Sequence, residues 1–178
     1  MDWLFHIFVW LSRISHCRGF GVQSPTDYHF VRYVVNEHWP YYAYEWLGKE
    51  DTWKRRKIGR LCFRLTNWLQ PHHVLDDCKM SDYIRAASQR TMIYRSGECQ
   101  ANMADIELAI EPVTSDAQRL FEGCNDRSVI MFVDINLHKA DWQRIHQDPR
   151  VSISYDLYYC GIVMFDSKRV KQHYIVNF

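Results

Sequence analysis

The chain has 178 residues, 47% hydrophobic and 24% charged, ordinary proportions for a globular fold long enough to bury a core. Twenty-two Lys and Arg against twenty-one Asp and Glu leave a net charge of +1, so no overall field favours a phosphate backbone or an anionic membrane. The 15% aromatic content fits cores, pockets and interfaces equally well.

The first residues, Trp3 to Leu11, are apolar and aromatic, but Ser12 and Arg13 end the run. A spanning helix needs about twenty apolar residues, and the basic start and small-residue cleavage site of a secretory signal are missing. A helix packed on the domain or on a partner is expected, in a cytoplasmic protein without a transmembrane segment. Ser24-Pro25-Thr26-Asp27 predicts a helix start, and Phe30, Val31, Val34 and Val35 follow at helical spacing. Trp53 to Leu69 carries Ile58, Leu61, Cys62, Leu65, Trp68 and Leu69 on one side and stops at Pro71. The basic run Lys54-Arg55-Arg56-Lys57 with Arg60 lies on that helix and reads as a solvated face, not a nucleic-acid contact.

After Pro71 the pattern changes. Strands are predicted at His73–Leu75, Thr91–Arg95, Ile106–Ile110 and Ser128–Ile135, with helices at Ser81–Arg90, Ser115–Phe121 and Lys139–His146 between or after them. Three closing strands follow at Val151–Leu157, Gly161–Phe165 and His173–Phe178. This order predicts a Rossmann-like α/β fold, mainly parallel, with antiparallel C-terminal edge strands. Residues 1–70 form a helical N-terminal extension and lid, and residues 71–178 the α/β domain, with no linker or repeat between them. In such sheets ligands bind beyond the carboxyl ends of the strands, which directs attention to the residues after Leu75, Arg95 and Ile135.

Cys17, Cys62, Cys78, Cys99, Cys124 and Cys160 are scattered without a C-x-x-C pair, which favours reduced, mostly buried thiols. His72 and His73 with Asp76, Asp77 and Cys78 include metal-ligand types, but neighbours on a strand point to opposite faces. Surface His and a helix-capping Asp are the better reading, and no metal is expected. Asp134 with His138, Asp141 and His146 lies near a strand end without an accompanying nucleophile or oxyanion motif. Walker A, G-x-S-x-G and H-E-x-x-H motifs do not occur.

The stretch His16-Cys17-Arg18-Gly19-Phe20-Gly21-Val22-Gln23-Ser24-Pro25 resembles the "HGxGxHSP" opening of small bacterial class I S-adenosylmethionine-dependent methyltransferases, and Tyr41 to Glu45 continues the likeness. Trp142 to His146, Asp148 to Val151, Asp156-Leu157, Gly161 to Val163 and Lys171 to Tyr174 are similar to that family's final helix and last strands. Cys99 to Arg127 matches poorly and is some tens of residues short, as if one helix-strand unit were missing. The resemblance implies that His16, Gly19, Gly21, Ser24, Pro25 and Tyr42 form a lid over the site mouth; a cover over the sheet edge is the structural alternative.

It also implies a turn of the form acid, any residue, Gly, three residues, Gly after the first strand, where bare backbone approaches the cofactor. Here that window is Asp76-Asp77-Cys78-Lys79-Met80-Ser81-Asp82, with Cys78 and Asp82 in place of both glycines. The ribose-binding acid at the end of the second strand is matched by Ser96, with Glu98 as a substitute if the turn is rebuilt. The acidic pair after the fourth strand is reduced to Asp134 in Val133-Asp134-Ile135-Asn136. Three departures together predict a shortened, degenerate methyltransferase-like protein without S-adenosylmethionine binding, kept as a binding or interaction module for a protein partner or small molecule, or as a homodimer. The alternatives are an active methyltransferase using S-adenosylmethionine in a rebuilt site, and a non-catalytic subunit docking a partner through its aromatic N-terminal helix.

Overall fold

A computed structural model describes residues 2–96 and 107–178, without the side chains of Asp2 and Arg18. Helix α1 (Asp2–Ser12) leads through a 3-10 turn (Ile14–Gly19) to α2 (Pro25–Phe30), which continues as a π turn (Val31–Val35). A 3-10 turn (Tyr42–Glu45) precedes α3 (Trp53–Leu69). Strand β1 (His73–Asp76), α4 (Ser81–Ala87), β2 (Met92–Tyr94), β3 (Leu108–Pro112), β4 (Val129–Val133), α5 (Lys139–Gln147), β5 (Ile153–Asp156), β6 (Cys160–Met164) and β7 (Gln172–Ile175) follow. The segment predicted helical at Ser115–Phe121 is a 3-10 turn, Ala117–Gly123.

The fold is α/β and Rossmann-like, as the element order predicts. One seven-stranded sheet runs β2-β1-β3-β4-β6-β5-β7, and β1 to β4 are all parallel. Antiparallel pairing is confined to the C-terminal side. There β6 runs against both β4 and β5, and β7 at the edge is parallel to β5.

Both faces of the sheet are covered, which is why its strands read as unbroken apolar runs. Side chains alternate between two cores. Val74, Ile110, Met131, Tyr155 and Ile162 face α2, α3 and α4, whereas Leu75, Ala109, Ile130, Phe132 and Val163 face α5 and the 117–123 turn. Helix α3 forms where Thr52 caps Arg55 N at 3.3 Å, and it ends at Gln70, whose left-handed φ of 47° closes the last turn.

Two glycines set the helix layer heights. A Cβ on Gly59 would sit 2.3 Å from the Tyr83 ring, and one on Gly161 2.3 Å from the Trp142 indole. Their bare backbones let an aromatic ring lie directly on α3 and on β6. Among the described residues no helix is long and apolar enough to cross a membrane. Cys17, Cys62, Cys78, Cys124 and Cys160 are all unpaired thiols, and Cys99 lies outside the described residues.

Candidate functional site

The chain leaves β1 toward β2 on one side and later enters β3 on the other, so the order reverses between β1 and β3. The crevice outside the carboxyl ends of these two strands is where open α/β sheets bind ligands. Asp76 ends β1, Asp77 and Cys78 follow it, and Glu111 sits near the end of β3, directly after the Asp76–Ile110 register pair.

Burial pushes the Glu111 carboxyl up to about 8, with the charges of Asp77 and Asp76 and a hydrogen bond to Asp77 adding to the effect. Glu111 is 6% exposed, and its Oε1 is shut off from solvent without a hydrogen-bond partner among the described residues. At neutral pH it holds a proton, the state expected of carboxyls crowded in a low-dielectric site. Burial also raises Asp76, although the amides of Met80 and Cys78 oppose the rise. Cys78 is raised to about 12, by burial first and then by Glu111 and Asp76, so its thiol is no nucleophile at neutral pH.

The turn after β1 is closed upon itself. Asp76 Oδ1 accepts Met80 N at 2.9 Å, and Met80 is buried in the core between sheet and helices. Lys79 adopts a left-handed φ of 58° without being glycine, a strain of about 1 kcal/mol. Arg55 holds that conformation from outside, donating to the Lys79 carbonyl at 2.5 Å and the Cys78 carbonyl at 3.4 Å.

Arg55 is itself placed by a chain of contacts that begins at Gly59. Gly59 admits the Tyr83 ring, the Tyr83 hydroxyl donates to Asp51 Oδ2 at 2.6 Å, and Asp51 Oδ1 accepts Arg55 Nε at 3.1 Å. On the other side Lys54 pairs with Asp134, which follows β4 in a left-handed conformation of φ 67°. The basic run thus does not form one solvated face: Lys54 and Arg55 brace the crevice.

The residues singled out in the sequence divide into separate groups. Asp76 and Cys78 meet in the crevice. Ser96 reaches it through Asp77, which accepts the Ser96 amide at 3.0 Å and also its hydroxyl. Asp82 is exposed in the first turn of α4, on a cleft of about 650 Å³ lined by Trp46, Asp51 and Arg55. Its side chain does not enter the turn. Glu98 lies outside the described residues.

The segment from His16 to Pro25 lies against the far edge of the sheet. The His16 carbonyl accepts Asn177 N at 3.0 Å, and Gly19 packs on Tyr28. Ser24 Oγ caps Asp27 N at 3.4 Å and is reached by Arg169 at 3.4 Å. Buried Asp27 accepts the Tyr155 hydroxyl at 2.7 Å, Tyr174 hydroxyl at 3.1 Å and Arg169 at 2.6 Å. Burial opposes ionisation there, yet these bonds and the Arg169 charge hold Asp27 below the usual carboxylate range. Tyr155 is on β5 and Tyr174 on β7. Five strand steps of about 4.8 Å place β7 roughly 24 Å from β1. Gly21 and Pro25 are exposed in this cover, and Tyr42 stands 89% exposed on another cleft.

Helix α1 packs on the carboxyl ends of β5 and β7 and on the turn that enters β6. His6 Nδ1 lies 2.5 Å from the Tyr159 hydroxyl and its ring stacks on Trp53 at 4.1 Å. Val9 is buried, and Arg13 bonds the Asp156 carboxylate at 2.8 Å. Its other side leaves Trp3 and Phe8 71% and 70% exposed, with Leu4, Phe5 and Leu11 beside them.

Among the described residues no group of three or more His, Cys, Asp or Glu is placed to hold a metal ion. No protein-family model, no curated protein and no solved structure matches the chain.

Proposed function

We propose that the chain is a methyltransferase-like scaffold that does not bind S-adenosylmethionine or transfer methyl groups, and that acts as a binding or interaction module. The observation that carries this reading is the closed turn at Asp76–Met80. A cofactor lying against that turn needs bare backbone, and the residues present fit it poorly. The Cys78 and Met80 side chains face inward, Asp76 takes the Met80 amide, and Arg55 takes two carbonyls. The short path from β2 to β3, with β2 at the sheet edge, also agrees with a missing strand-helix unit.

Glu111 belongs to the same closed arrangement: it is buried, and its carboxyl, pushed up to about 8 by burial and by Asp77 and Asp76, is hydrogen-bonded to Asp77. Isothermal titration with S-adenosylmethionine and S-adenosylhomocysteine tests the reading. No saturable heat up to millimolar ligand is expected; micromolar affinity for either would favour an active methyltransferase with a rebuilt site instead.

The exposed side of α1 favours a second reading, a non-catalytic subunit docked through that helix. A helix apolar nearly all round is normally buried on every side, and α1 is covered on one. Light scattering of the intact chain and of the double variant Trp3→Ser/Phe8→Ser tests this. A concentration-dependent mass lost in the variant supports it, and monomers in both count against self-association.

A further inference from the structure

Helix α3 presents a second set of cations on the side away from the strand-end crevice. Arg56, Lys57, Arg60 and Arg64 line a cleft of about 870 Å³ between α3, the 35–45 segment and Phe178, with Glu37 and Glu45 as the acidic side chains among its described lining residues. None of these four cations forms an ion pair among the described residues. Glu37 is taken by the Tyr41 hydroxyl at 2.7 Å, and Glu45 is exposed.

The four are not equally engaged. Arg64 is buried and donates to the Val34 and Val35 carbonyls at 2.6 and 2.8 Å, so its positions are satisfied while its charge is not. Arg56 donates to the Gly48, Lys49 and Asp51 carbonyls. Arg60 makes no side-chain hydrogen bond among the described residues. Its guanidinium lies 4.6 Å over the Tyr44 ring, and its Nε is sealed from solvent without a partner. Lys57 sits 4.5 Å from the Phe178 ring and 5.1 Å from Trp53, without a hydrogen bond. Burial lowers its ammonium below the ordinary lysine range, and Arg64 lowers it further.

Like charges gathered at low dielectric without a counter-ion repel one another and lose hydration. An anion relieves both costs at once. Beside the cations, Trp39 and Tyr42 are 72% and 89% exposed, flat surfaces free to stack on a ring. The cleft volume falls in the range of small-molecule pockets. Glu37 and Glu45 interrupt the positive surface, and the chain carries a net charge of +1, both of which disfavour a long polyanion.

We propose that this cleft binds a phosphorylated small molecule bearing a flat ring, a nucleoside phosphate in chemical class, with Lys57 and Arg60 receiving the anion and Tyr42 or Trp39 stacking on the ring. The site is distinct from the strand-end turn and stands whether or not that turn takes S-adenosylmethionine.

The test titrates ADP and adenosine into the full chain at low salt, followed by calorimetry, with a circular dichroism check of each variant. Saturable ADP binding is expected, at least tenfold tighter than adenosine. Lys57→Met and Arg60→Gln should each weaken it tenfold or more. Two exposed positions decide the matter even if those variants fold poorly: Tyr42→Ala should weaken ADP severalfold, and Glu45→Gln should tighten it about twofold. Absence of ADP binding overturns the proposal, as does equal affinity for adenosine or indifference of ADP affinity to all four variants. So does a twenty-nucleotide RNA that binds a hundredfold more tightly than ADP. S-adenosylmethionine, titrated separately, reports on the strand-end turn alone and should not compete with ADP.

Discussion

Helix α3 serves two regions that differ in how fully their cations are satisfied. Toward the strand ends, Lys54 and Arg55 meet Asp134, Asp51 and two backbone carbonyls. Toward the 35–45 segment, Lys57 and Arg60 meet aromatic faces and no acceptor. A network whose members satisfy one another holds a backbone in place, as it does for the left-handed Lys79. A network left short of acceptors is open to a ligand, because a buried donor without a partner costs about 1–3 kcal/mol until one arrives. The region that the sequence marks for chemistry is thus the closed one, and the region that reads as a solvated helix face is the open one.

The comparison is best broken by substitution. The largest effect is expected at Asp27, the reference case of a fully satisfied buried group. Asp27→Ala strands Arg169 and two tyrosine hydroxyls and should cost about 3–5 kcal/mol in urea denaturation.

Glu111→Gln comes next and depends on pH. The folded carboxyl titrates at about 8 against an ordinary 4.5, so between these values the folded state holds a proton that the unfolded state has released. Stability of the parent protein therefore falls as pH rises through this window. The variant lacks that penalty. Its gain over the parent should be greater at pH 8 than at pH 5 by about 2–4 kcal/mol. A gain independent of pH would show that Glu111 is ionised throughout.

A direct contrast on α3 follows. Arg55→Met should cost about 2 kcal/mol, since it frees two carbonyls and an aspartate. Arg60→Met should cost less than about 0.5 kcal/mol or stabilise, since it removes a buried donor that has no partner. Equal losses at both positions would abolish the distinction between the two regions. The smallest effect belongs to α1, where Trp3→Ser/Phe8→Ser should alter chemical stability by under about 0.5 kcal/mol, as exposed substitutions do.

Much of the fold is legible because its signals are local. Trp53–Leu69 matches a helix bounded by the Thr52 cap and Pro71. Val129–Val133 is legible as a strand because both faces of the sheet are covered, so every residue of the run is apolar. The candidate site was less legible. Reading the third strand only to Ile110 stops one residue before Glu111, since an acid normally ends an apolar run. Nothing in its residue type reveals that its neighbours raise its proton affinity. The only available signal was its position at a strand end in a parallel sheet. Asp82 illustrates a different limit: counting along a motif gives the position but not the direction, and the first turn of α4 points this side chain outward. Ser24 of the expected lid is reached by Arg169, and nearby Asp27 by Tyr174, partners some 145 positions away along the chain that no spacing rule links.

The insertion of β6 between β4 and β5 has a consequence for chain growth. Until residues 160–164 emerge, the outer side of β4, Val-Ile-Met-Phe-Val, has no neighbour, and β5 is too distant to pair with it. A product stopped at Leu157 would present an unprotected apolar template for other chains. The reversed Ile153–Met164 hairpin, turning at Tyr158 with φ 72°, is therefore the piece that seals the sheet, and polypeptides truncated before β6 should accumulate as aggregates.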